Sequence, residues 1–83
     1  MPDLALFHRL AEPGSAEARR RVVALGLEGR VAFRNVEFPS HGAALAAHGG
    51  GATPALWDGT RLHVGTEAVL GALETLAAAT GGA

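Results

Sequence analysis

Residues 4–27 read LALFHRLAEPGSAEARRRVVALGL. An apolar run, a proline–glycine break and an alanine- and arginine-rich run follow one another without a gap. Residues 3–8, DLALFH, hold an apolar stretch bounded by Asp3 and Arg9, which suits a short buried strand. LAEPGS reads as the loop after it. From Ala16 the residues favour helix, and no breaker intervenes before Gly26. Ala18, Val22 and Leu25 fall at i, i+4 and i+7 on one face. Gly26 or Gly29 then ends the helix.

Working outward, VAFRNVEF (31–38) favours a strand through its Val and Phe content, with a bend where alternation fails. Pro39 and Ser40 punctuate, and Ser40 is placed to cap a short helix, HGAALAAHG, weakened by its glycines. Gly49–Gly51 reads as a flexible connection. PALW (54–57) and RLHV (61–64) read as a hairpin turning at Asp58-Gly59-Thr60. Thr66 is placed to N-cap the last helix, with Glu67 in its first turn. Val69, Leu73 and Leu76 stripe that helix, with Leu70 beside them. ATGGA reads as a frayed tail. The order is β-α-β-α-β-β-α, one domain over 1–83 with 81–83 frayed. Expected core residues include Leu4, Leu6, Phe7, Val22, Leu25, Val31, Phe33, Val36, Leu56, Leu62, Val64, Val69, Leu70, Leu73 and Leu76. Trp57 reads as a core or half-buried strand residue.

Composition narrows the function. The formal net charge of -1 gives no global field for nucleic acid or anionic membrane. The chain has no cysteine, so disulfides, thiolate metal sites and cysteine nucleophiles are excluded. Neither a signal peptide nor a membrane span is legible, and a cytoplasmic setting is expected. Arginine without lysine, with abundant alanine and glycine, fits a GC-rich, bacterial genome.

Three local segments carry a family resemblance. Residues 4–27 can be laid on the glutaredoxin pattern of strand, K-P-x-C-P-Y-C and helix, with Glu12-Pro13-Gly14-Ser15 on Cys-Pro-Tyr-Cys. Ala52-Thr53-Pro54 resembles the segment that carries the family's cis-proline. Val64-Gly65-Thr66-Glu67 resembles its I-G-G-x-D/E segment, which holds the γ-glutamyl end of glutathione. With the element order, the chain resembles the thioredoxin-like superfamily, in its glutaredoxin-like form and in the N-terminal domain of glutathione transferases. The resemblance implies a four-stranded mixed sheet in the order 2-1-3-4 with helices on both faces. It also implies a cis Thr53-Pro54 bond.

The departures decide the chemistry. Both cysteine positions are filled otherwise, by Glu12 and Ser15, so thiol–disulfide catalysis is out. One reading is structural. Glu12 sits at the positive end of a helix, worth about 0.3–1 kcal/mol, and Ser15 bonds a free backbone N–H there. The other is functional: the resemblance to glutathione transferases implies Ser15 beside a bound thiol. The transferase Glu-Ser pair, however, reads Gly65-Thr66 here.

The expected function is therefore a redox-inactive binding or interaction module. Its groove would be formed by Arg9, Glu12, Ser15, Thr53, Pro54, Gly65, Thr66 and Glu67, with glutathione or an extended peptide as ligand and no cofactor. The alternatives are a minimal glutathione transferase-like enzyme, with Ser15 and Glu12 as candidate catalytic residues, and a structural subunit of a larger assembly. A small thiol peptide or a protein is the expected partner, and exposed edge strands would support a homodimer.

The remaining constellations read as ordinary. No two of His8, His41, His48 and His63 have helical metal-ligand spacing, and surface or partly buried roles are expected. Arg19-Arg20-Arg21 reads as a solvated helix face.

Overall fold

The computed structural model describes residues 4–81. Strand β1 spans Leu4–His8 and helix α1 Pro13–Ala24. Strand β2 (Val31–Asn35) and helix α2 (Pro39–Ala47) follow. The hairpin strands are β3 (Ala55–Trp57) and β4 (Leu62–Val64), and α3 covers Thr66–Gly81. The strands form one sheet in the expected order β2-β1-β3-β4. β1 and β2 are parallel, with Leu4 opposite Val31. β3 is antiparallel to both β1 and β4. The chain is thus an α/β domain with a mixed sheet.

Side chains alternate between the faces of a strand, and the two faces of β1 feed two cores. Leu4 and Leu6 join Ala18, Val22, Leu56, Val69 and Leu73 beneath α1 and α3. Ala5 and Phe7 join Leu45 and Ala55 beneath α2. No helix among the described residues is long and apolar enough to cross a membrane.

Several boundaries differ from the sequence reading. α1 starts at Pro13, not Ala16, because proline suits the first helical position, where its missing N–H costs nothing. It ends at Ala24, and of the two glycines expected to stop it, Gly26, at φ +71°, is the one just past the cap. The Leu27 amide reaches back to the Val22 carbonyl (2.9 Å) and the Gly26 amide to Val23 (3.0 Å). This Schellman turn swings Leu27 into the core, a buried position the helical stripe does not reveal. β2 stops at Asn35, not Phe38, because the Asn35 side chain accepts the Glu37 amide (3.0 Å) in a local turn.

α2 starts at Pro39 after Phe38, so Ser40 lies inside the helix and caps nothing. Gly49 is no flexible link: at φ +89° it ends α2, while the Gly50 amide bonds the Leu45 carbonyl (3.0 Å). Leu45, unmarked by any strong local pattern, is buried. Phe33 and Val64, expected in the core, are 42% and 45% exposed because they stand on edge strands; Leu25, Val36, Leu62, Leu70 and Leu76 are half-buried. Thr66 is the first helical residue and not the cap, since the Gly65 carbonyl accepts the Val69 amide (2.9 Å). Helix also continues through Ala79–Gly81, which the sequence reading treats as tail; residues 82–83 lie outside the described residues.

Candidate functional site

The chain leaves the sheet at Arg9 and must turn back before α1 begins. Ser15, in the first turn of α1, controls that turn. Its side chain is wholly buried. Its Oγ accepts the Arg9 backbone amide (3.1 Å) and donates its proton to Glu12 Oε1. The sequence reading gives Ser15 an N–H at the helix start; the one it holds belongs instead to Arg9, just beyond β1.

Glu12 is the residue before α1, yet its side chain caps no helix amide. The same Oε1 accepts a second proton, from Thr53 Oγ1 (2.7 Å). One carboxylate oxygen therefore joins two hydroxyls that are distant in sequence. Oε2 makes no hydrogen bond with a described residue, and the side chain is half-buried.

Thr53 precedes a cis bond to buried Pro54. The Pro54 carbonyl accepts the Gly65 amide (2.9 Å), which brings the start of α3 to the same place. Gly14 closes the junction. A Cβ added there would collide with Thr66 Oγ1 and lie 3.4 Å from Pro54 Cδ. The first turn of α1, the Thr53-Pro54 bend and the start of α3 thus meet with no space for a methyl group.

Of the sequence-predicted residues, Glu12, Ser15, Thr53, Pro54, Gly65 and Thr66 are brought together. Arg9 contributes its backbone, while its side chain is exposed and has no hydrogen bond or ion pair with a described residue. Glu67 is exposed one residue further along α3 and has no such bond either.

A supporting layer is not visible in the sequence. Arg19, read there as part of a solvated face, is half-buried. It donates to the carbonyls of Arg9 (3.1 Å) and Leu10 (3.4 Å), tying the loop onto α1. It also meets His8 Nδ1 at 3.0 Å. A guanidinium can only donate, so Nδ1 accepts and the imidazole carries its proton on Nε2. His8 is buried, at 5% exposure, which a surface or partly buried reading misses. Burial, then the Arg19 cation, then His41 lower its pKa, against a smaller opposing effect of Glu37. Arg21 is also engaged, in an ion pair with Glu74 of α3. Gly14 and Arg19 are the site residues that the sequence reading leaves out. Pro13 carries the only local signal for them, since starting α1 there puts Gly14 in its first turn.

The arrangement offers a carboxylate oxygen and, among the described residues, unpaired backbone groups; Ser15 lies beside the Glu12 carboxylate but is wholly buried and presents no hydroxyl at the surface. The Ser15 proton is already committed to Glu12. Among the described residues no three histidine, aspartate or glutamate side chains cluster to hold a metal. No protein-family model, curated protein or solved structure matches the chain.

Proposed function

We propose that this chain is a thioredoxin-like, glutaredoxin-like domain that has given up redox chemistry and binds an extended peptide or glutathione-like ligand. The carrying observation is the Glu12 carboxylate, anchored by Ser15 and Thr53 at the start of α1. In the resemblance, that position belongs to the nucleophilic thiolate. A fixed anion there repels a thiolate and attracts a donor, so the groove is suited to recognition and not to exchange.

Two further features support the reading. The backbone N–H and C=O of half-buried Thr53 make no hydrogen bond among the described residues. An extended segment laid alongside gains both, as in strand addition. The exposed Arg9 guanidinium suits a ligand carboxylate. The transferase-like alternative is weaker, because Ser15 has no proton left for a ligand sulfur. We place the module in the cytoplasm, with edge strands β2 and β4 as surfaces for self-association.

Amide NMR titration tests this reading, using reduced glutathione and S-methylglutathione as probes. Saturable shifts at Arg9, Thr53, Thr66 and Glu67 are expected, with S-methylglutathione at least as tight because its sulfur cannot ionise. An unchanged spectrum at millimolar concentrations of both probes overturns the groove as a peptide site.

A further inference from the structure

The sheet face beneath α2 is only partly filled. The pairing register aligns Ala5 with Ala32 and Trp57 in one row, and Phe7 with Arg34 and Ala55 in the next. Leu45 of α2 packs onto Phe7 and Ala55. Over the other row the sheet presents the small side chains of Ala5 and Ala32. A cavity of about 470 Å³ opens on this face across both rows, floored by Ala5 and Phe7, walled by His48 and Trp57 and edged by Arg34. It lies toward the strand end marked by Leu4 and Gly59, whereas the Glu12 site begins beyond His8 at the other end.

Three properties define what fits. The volume lies within the range of small-molecule sites. The wall is planar and fixed, because Trp57 stacks on His48 with centroids 4.0 Å apart and planes within 18°. The charge is a single cation. Arg34 is exposed and makes no hydrogen bond or ion pair with a described residue, unlike Arg19 and Arg21. A guanidinium without a partner among the described residues, at the edge of a hollow with Ala5, Phe7 and Trp57 in its lining, matches a carboxylate, which it can grip with two parallel N–H donors. A polyphosphate would meet one cation only, and a neutral hydrocarbon would leave it unused.

We propose that this cavity binds a small monocarboxylate with an aromatic or branched apolar body. The carboxylate sits at Arg34 and the body lies on Ala5, Phe7 and Trp57. The site is independent of the peptide groove, so either can fail without the other.

The test titrates 3-phenylpropionate and its neutral amide, 3-phenylpropanamide, into the full chain. Fluorescence of Trp57, the only tryptophan, reads binding, and amide NMR shifts locate it. Saturable binding of the acid is expected, with shifts at Ala5, Arg34 and His48 and an affinity about tenfold above that of the amide. Arg34→Gln is expected to lower the acid to the level of the amide and leave the amide unchanged. Because Arg34 is exposed and has no partner among the described residues, the variant should melt like the parent. Equal affinity for acid and amide, indifference to Arg34→Gln, shifts confined to Glu12 and Thr53, or no saturation at millimolar ligand would each overturn the proposal.

Discussion

Ser15→Ala is the sharpest test of how the Glu12 site is built. The substitution removes one oxygen from a position with no solvent exposure. Among the described residues, the Arg9 amide loses its only acceptor and Glu12 one of its two donors. A part-buried amide left unpaired costs about 1–3 kcal/mol, and a hydrogen bond to a charged group contributes about 1.5–3 kcal/mol. Glu12 is half-buried, and water can replace part of its loss. The expected net destabilisation is therefore about 2–3 kcal/mol. A chain of this length has a total stability of about 4–12 kcal/mol, so the loss is a large share. It corresponds to a fall in Tm of about 10–20 °C. Urea unfolding followed by Trp57 fluorescence and far-UV circular dichroism measures it, with an unchanged m-value expected. Ser40→Ala, at an exposed position, is the control and should stay within about 0.5 kcal/mol of the parent. If Ser15→Ala also stays within about 0.5 kcal/mol, the hydroxyl is no structural node and the account of the loop is wrong.

Two other outcomes follow from the same region. Gly14→Ala should destabilise by about 1–3 kcal/mol, because its methyl group meets Thr66 Oγ1; Thr66→Ala in the same chain should recover most of that loss. Additive effects of the two changes in urea unfolding would contradict the packing described. His8 should titrate below the ordinary value of 6.5, read from its imidazole proton shifts. The unfolded chain then binds the extra proton first, so His8 supports stability above pH 6.5 and loses that support as the pH falls toward its folded pKa. A His8 midpoint at or above 6.5 would rule out the buried, arginine-facing imidazole.

The sequence conveys the element order because its punctuation is local. Asp58-Gly59 marks the hairpin and Gly26 marks the end of α1, each through a preference of a few adjacent residues. Pro13 carried an equally local signal, but reading EPGS as one loop hid the start of α1. Other features depend on distance. Leu27 and Leu45 are buried only because of how a helix end returns or where a helix lies. Phe33 and Val64 look like interior residues until the sheet order leaves their strands at the edges. The site divides in the same way. Its segments were legible from motif resemblance, whereas the bond from Thr53 to Glu12 spans 41 residues and has no local signature. Arg19 looked solvated because periodicity shows which way a side chain leaves a helix, but not that a returning loop will place carbonyls in its path.

The unequal filling of the two sheet faces also bears on how the protein comes apart. Among the described residues, nine buried side chains form the cluster beneath α1 and α3, against four beneath α2. α2 is also the shortest helix, with Leu45 its only buried side chain. Free energies of local opening follow the apolar surface that holds each unit. The α2 layer is therefore expected to be the first cooperative unit to detach, with β1, α1 and α3 persisting as a folded remainder. Amide protons on α2 would exchange through that partial opening, and those of β1 only when the whole molecule unfolds.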